Sequence, residues 1–221
     1  MTAIEANQGK IFIIGLPRTA TTSVCVAMLN LGYQVAHTCY TSRCLTNAEV
    51  IADTPVFSEY AHLDAMYPNS RFIYLERELS LWVPSIKQLL ARMATNVLRQ
   101  DGGLNTFIKH SFTKVFSPFT EENIADDTFL SDCYQRHQAD VLAYFAQRPH
   151  DLLRLDVSDD DAYSKLLSFL GKAAPQDGNF ARINVAGKVI AWNKVRHSGK
   201  IESTENGRID KHLFTKLVTE N

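Results

Sequence analysis

One stretch constrains the fold more than any other. From Ile11 to Ser23 the chain reads IFIIGLPRTATTS. Ile11, Phe12, Ile13 and Ile14 form a continuous run of β-branched and aromatic residues, the pattern of a strand buried on both faces of a parallel sheet. Gly15-Leu16-Pro17-Arg18-Thr19-Ala20 breaks that strand with a tight turn. Thr21-Thr22-Ser23 opens an amphipathic helix carrying Val24, Ala27, Met28 and Leu31, with Gly32 as its C-terminal stop. Strand, turn and helix start together predict an anion cradle. The first backbone N–H groups of a helix have no partner within it, and the helix dipole draws negative charge to that end.

The spacing is close to that of a nucleotide-binding phosphate loop, G-x-x-x-x-G-K-[ST]. Gly15 stands at the first glycine, Ala20 at the second and Thr22 at the hydroxyl position. Thr21 replaces the lysine that reaches the β and γ phosphates of a nucleoside triphosphate, which argues against ordinary ATP or GTP chemistry. A cation is kept, Arg18, moved back into the turn, with hydroxyls at Thr19, Thr21, Thr22 and Ser23. Such a cradle suits a 5′-phosphate with a short anionic extension. Further along, the strand Arg71-Phe72-Ile73-Tyr74-Leu75 runs into Glu76-Arg77, and Ser85 follows Arg77 by eight positions with Trp82 between. Taken alone, Arg77 reads as a solvated charge at a strand end and Ser85 as a surface hydroxyl.

Taken jointly, the two stretches resemble the sulfotransferases, and most closely the small bacterial-type members. PRTATTS is similar to their 5′-phosphosulfate loop, and an Arg leaving a strand with a Ser on the next helix is similar to their 3′-phosphate site. The resemblance implies a three-layer α/β/α, P-loop NTPase-like fold with a mainly parallel sheet. It implies 3′-phosphoadenosine 5′-phosphosulfate as sulfuryl donor, adenosine 3′,5′-bisphosphate as product, and no metal. Arg18, Thr19, Ala20, Thr21, Thr22 and Ser23 would hold the 5′-phosphosulfate, and Arg77 and Ser85 the 3′-phosphate. Arg18 would also offset charge on the leaving oxygens, as cations do in phosphoryl transfer. The family's base lies ahead of the Arg77 strand, and Asp53-Thr54-Pro55 is similar to an Asp-x-Pro of the smaller members. Asp53 is therefore expected to take the acceptor's proton, with His37 as the alternative.

The residues themselves leave both base candidates open. Tyr33–Ala36 reads as a second strand, so His37 at its end points either into the ligand crevice or into a capping contact. Asp53 equally suits a turn before Pro55, and the segment ahead of it, Asn47–Ile51, has helical character. Glu59 and His62 fall on a helix Glu59–Met66 and read as surface or rim residues. A helix from Ser80 to Met93 is expected to bury Leu81, Ile86, Leu89, Leu90 and Met93, leaving Lys87 and Arg92 solvated. Between Ala94 and Thr128 the periodicity weakens. Phe107, Phe112, Phe116 and Phe119 alternate there with Lys109, His110 and Lys114, a pattern of core packing or of a lid over the site. Phe129–Gln147 is a helix with His137 as a structural contact. Asp151–Leu155 is a strand, and Asp160–Leu170 a helix ended by Gly171. This pair, with Pro175 and Phe180…Asn184 after it, again resembles small sulfotransferases. In the tail, Val189–Trp192 reads as a strand. His197-Ser198-Gly199-Lys200 and Asn206-Gly207-Arg208 are the candidates for a basic loop over the 3′-phosphate, beside their plainer reading as solvated tail.

The chain has 221 residues, 45% of them hydrophobic, which is enough for one sizeable core, so a single domain over 1–221 is expected. With 23 basic and 24 acidic side chains it carries no nucleic-acid or membrane-surface signature. No apolar run approaches a membrane span, and four cysteines without metal or disulfide spacing fit a reducing, cytoplasmic setting. The acceptor is left open among small molecules, glycans and lipids bearing a hydroxyl or amine. Two other readings share the fold: a non-catalytic nucleotide-binding module, and a small-metabolite kinase, which the missing loop lysine disfavours.

Overall fold

The computed structural model describes residues 9–173, 180 and 191–218. Five parallel strands form one sheet: β1 (Ile11–Ile13), β2 (Val35–Ala36), β3 (Val50–Ala52), β4 (Arg71–Glu76) and β5 (Leu152–Asp156), in the order β2-β3-β1-β4-β5. Ile11, Phe12 and Ile13 pair with Val50, Ile51 and Ala52 on one side and with Arg71, Phe72 and Ile73 on the other. The central place of β1 explains its unbroken apolar run, since each of its side chains meets a covered face.

The alternation of the strands divides the core into two layers. Ile11, Ile13, Val50, Ala52, Ile73 and Leu75 pack under α1 (Thr21–Asn30) and α8 (Ala162–Phe169). Phe12, Ile51, Phe72 and Tyr74 face the opposite way, against α2 (Ser42–Asn47), α3 (Val56–Met66) and α9 (Lys211–Val218). A third cluster stands beside the sheet, where α4 (Leu79–Leu98), α5 (Thr106–Val115), α6 (Glu121–Ala125) and α7 (Asp127–Tyr144) close around Trp82, Phe112, Phe116 and Tyr134. This is the three-layer α/β arrangement expected. The chain builds β2 and β3 on one side of β1 and then crosses to β4 and β5. The reversal on the two sides of β1 is where ligands bind in open parallel sheets, at the C-terminal ends of the strands.

Several local expectations are corrected. Val50–Ala52 is a strand, not the end of a helix; three residues are too few to show a period, and the β-branched Val50-Ile51 pair ahead of Asp53 was its signal. Leu81 does not join the buried stripe of α4: it is 56% exposed, and the adjacent Trp82 takes the core position. The weakly periodic region holds α5 and α6, and Phe107, Phe112, Phe116 and Phe119 are all buried, so the aromatic pattern is packing. Trp192 opens a 3₁₀ turn, Trp192–Lys194. Val189, Ile190, Pro175 and Asn184 lie outside the described residues. All four cysteines are buried free thiols.

Candidate active site

The loop after β1 is set by backbone conformation. Arg18 and Ala20 both adopt positive φ, 76° and 70°. Positive φ on either side of Thr19 bends the backbone sharply there, and the Thr19 N–H itself donates to the Leu16 carbonyl at 3.3 Å. Thr19 donates its hydroxyl to the Leu16 carbonyl at 2.7 Å and closes the turn. Gly15 is required by close approach: a Cβ there would lie 2.5 Å from Leu75 Cβ and 2.7 Å from Thr19 Oγ1. Helix α1 then starts at Thr21 with no side chain capping it and no acidic residue in its first turn. Its leading N–H groups therefore point outward with the positive end of the dipole.

Helix α4 fixes the loop from the side. The Trp82 indole N–H donates to the Pro17 carbonyl at 3.0 Å, inside the core. Ser85, one turn on, accepts from Arg18 Nε at 2.8 Å. From the end of β4, Arg77 Nη1 donates to the Arg18 carbonyl at 2.7 Å, while its own backbone N–H donates to the Tyr134 hydroxyl at 2.9 Å. Arg18, Arg77 and Ser85, far apart in sequence, thus form one patch beside the loop. Arg18 is exposed, yet partial burial, and then the charges of Arg77 and Arg92, lower its pKa from the ordinary guanidinium value.

The base candidates lie across the loop. His37 Nε2 faces the Thr22 hydroxyl at 3.0 Å and the Thr21 hydroxyl at 3.2 Å. Its Nδ1 is 3.9 Å from the Asp53 carboxylate, within ion-pair range but beyond a hydrogen bond. Trp192 stacks on the imidazole with ring centroids 5.5 Å apart. Burial lowers the His37 pKa, and the Asp53 charge only partly opposes this, so the ring is neutral at pH 7. Asp53 itself sits at the end of β3 with φ 53° and accepts from the Thr54 hydroxyl at 3.1 Å.

The loop, 3′-phosphate and base candidates read from the sequence therefore fall at this one end of the sheet: Arg18, Thr19, Ala20, Thr21, Thr22 and Ser23 on the loop, Arg77 and Ser85 to one side, His37 and Asp53 to the other. Of the two readings of the tail loops, the one over the 3′-phosphate is not found: they do not stand over Arg77. Gly199 and Lys200 run along the outer edge of β2, where Val35 N–H donates to the Gly199 carbonyl at 2.8 Å. Arg208 belongs to a small turn with Glu205, whose carboxylate pairs with Arg43 of α2 at 2.9 Å. Glu59 is not a surface residue: it is 1% exposed, and His110 at 2.9 Å, Lys114 at 3.0 Å and His62 at 3.2 Å surround it. Three side chains went unread: Trp82, Tyr134 and Trp192. An indole beside the Arg-to-Ser spacing was the only sequence signal for the first.

Among the described residues no group of three or more His, Cys, Asp or Glu is placed to hold a metal ion, and no helix is long and apolar enough to cross a membrane. No curated protein matches the chain. A family model described as a sulfotransferase domain matches residues 10–44 and 39–189, which span the loop, both base candidates, β4, Ser85 and β5. On that match over most of its length, and on a parallel sheet that gathers the matched motifs at one end, the chain belongs to the sulfotransferase family, whose domain serves the transfer of sulfuryl groups.

Proposed function

We propose that the chain transfers a sulfuryl group from 3′-phosphoadenosine 5′-phosphosulfate to a hydroxyl or amine acceptor. The observation that carries this reading is the convergence of Arg18, Arg77 and Ser85 beside an uncapped helix start. The residues fit such a donor: the uncapped start of α1 suits the 5′-phosphosulfate, and two guanidinium groups without an ion-pair partner among the described residues suit its remaining charge. When bound, the donor supplies an activated sulfuryl group and is released as adenosine 3′,5′-bisphosphate.

The chain's own residues then have defined tasks. The leading N–H groups of α1 and the hydroxyls of Thr21 and Thr22 orient the 5′ end. Arg18 places positive charge where the leaving oxygens gain negative charge, an electrostatic role that needs no reorganisation once the side chain is fixed by Ser85. Arg77 and Ser85 select a nucleotide bearing a 3′-phosphate. Asp53 accepts the acceptor's proton, and neutral His37 stands next to it to support the charge that follows.

Calorimetric titration of adenosine 3′,5′-bisphosphate, ATP with magnesium and adenosine 5′-phosphate tests the reading. The bisphosphate is expected to bind best, and Arg77→Ala to weaken it by about tenfold or more, the scale of a charge-assisted bidentate contact. Tighter binding of ATP with magnesium overturns the donor assignment in favour of a kinase.

A further inference from the structure

The 3′-phosphate end of the proposed site has one arginine from β4 and one hydroxyl from α4. The basic tail segments do not complete it, because Gly199 and Lys200 lie along β2, at the far side of β3 and β1 from β4, and Arg208 turns back onto Glu205, which pairs with Arg43 of α2. The exposed face of α4 offers another source. Residues seven apart on a helix project within about 20° of each other, so Arg92 shares the face of Ser85, with Gln88 beside the line between them. Helical side chains lean toward the N-terminus, which carries Arg92 back toward Ser85. Arg92 is exposed, and among the described residues no hydrogen bond or ion pair engages it.

Arg18, Arg77 and Arg92 thus gather on one side of the loop, and no carboxylate among the described residues pairs with any of them. The nearest acid on β4, Glu76, is taken by Arg154 at 2.7 Å. Burial first, and then the charges of Arg77 and Arg92, lower the Arg18 pKa. Guanidinium groups held near one another without counter-charge repel, and an anion bearing more than one charge relieves the repulsion.

We propose that Arg92 is the second cation for the 3′-phosphate of the sulfuryl donor, completing with Arg77 and Ser85 a site for a terminal phosphate monoester on the outer face of α4. This rests on the donor reading given above. The test is titration of adenosine 3′,5′-bisphosphate and adenosine 5′-phosphate into the wild type and Arg92→Gln, with thermal unfolding as the check on folding. Arg92→Gln is expected to weaken the bisphosphate about tenfold and to leave the monophosphate within about twofold, with an unchanged unfolding midpoint. Equal bisphosphate affinity in both proteins overturns the assignment, including the case where Arg92→Gln raises only the KM of an anionic acceptor. Equal weakening of both nucleotides also overturns it, since Arg92 then acts through the general potential of the site. A wild type that does not prefer the bisphosphate over the monophosphate fails the donor reading itself, and the role of Arg92 with it.

Discussion

His37 faces protein groups from both ring nitrogens, and this bears on how it and Asp53 would divide the work in the proposed reaction. A neutral imidazole has one N–H to give. The ionised Asp53 carboxylate favours that proton on Nδ1, which leaves Nε2 to accept from the Thr22 or Thr21 hydroxyl. In this tautomer Nδ1 carries the proton and Nε2 is already accepting, so neither nitrogen takes an acceptor's proton, whereas the Asp53 carboxylate can. We therefore expect Asp53→Asn to lower turnover by about 10²–10⁴-fold, the range of a lost general base, with bisphosphate affinity kept. His37→Asn is expected to cost about tenfold, as a neighbour rather than the proton acceptor. Steady-state rates and titration on both variants check this; a larger loss in His37→Asn exchanges the two roles. The sequence showed both candidates because each ends a strand. It could not order them, because the contacts that distinguish them come from Thr21, Thr22 and Trp192, which belong to other parts of the chain.

Among the elements, α3 and α5 are joined by a buried carboxylate. Glu59 breaks the helical geometry of α3 (φ −121°, ψ 22°) and turns inward to meet His110 and Lys114 of α5, while Ser58 donates to Ser111 at 2.8 Å beside it. Burial by itself would raise the Glu59 pKa; the hydrogen bonds from His110 and Lys114 override it and hold the carboxyl below its ordinary range. The two sides of the latch are not equal. Glu59 is enclosed, whereas Lys114 is 44% exposed and regains water if its partner is lost. Urea unfolding is expected to show the larger loss, about 2–3 kcal/mol, in Lys114→Met, which leaves the enclosed carboxylate without its cation, and a smaller one, about 1 kcal/mol, in Glu59→Ala, whose partners regain water. Equal losses would contradict this asymmetry. Apolar periodicity made α1, β4, α7 and α8 legible because each turns one consistent face to the sheet. It failed at Glu59, where a charged residue at the start of a helix is by default a solvent position and only tertiary partners make it otherwise. It failed at β3 because a three-residue strand is shorter than the pattern that would reveal it.

For the whole molecule, three buried groups on different elements make stability depend on pH in the same sense. His137 of α7 donates from Nε2 to the Phe57 carbonyl at 2.8 Å, and its Nδ1 is buried without a hydrogen-bond partner. Burial pushes its pKa down to about 4, against an ordinary 6.5. In the unfolded chain this histidine takes up a proton below about pH 6.5, and in the folded chain only near pH 4. The unfolded state therefore binds more protons across that window, and folding weakens as pH falls through it. His37, also lowered by burial, acts in the same direction below 6.5. Glu59 adds its part lower down: its folded pKa lies below the unfolded value, so its stabilisation is present above about pH 4.5 and is lost as pH falls through the folded pKa. The His137 contribution between pH 6.5 and 4 is about 3 kcal/mol, from about 1.4 kcal/mol per pH unit. His137→Gln keeps an N–H for Phe57 but cannot titrate. Urea midpoints measured at intervals from pH 7 to pH 4 should therefore fall less steeply in His137→Gln than in the wild type, by about that amount. Parallel curves would mean that His137 is protonated in the folded protein, and that the unpartnered Nδ1 has found an acceptor.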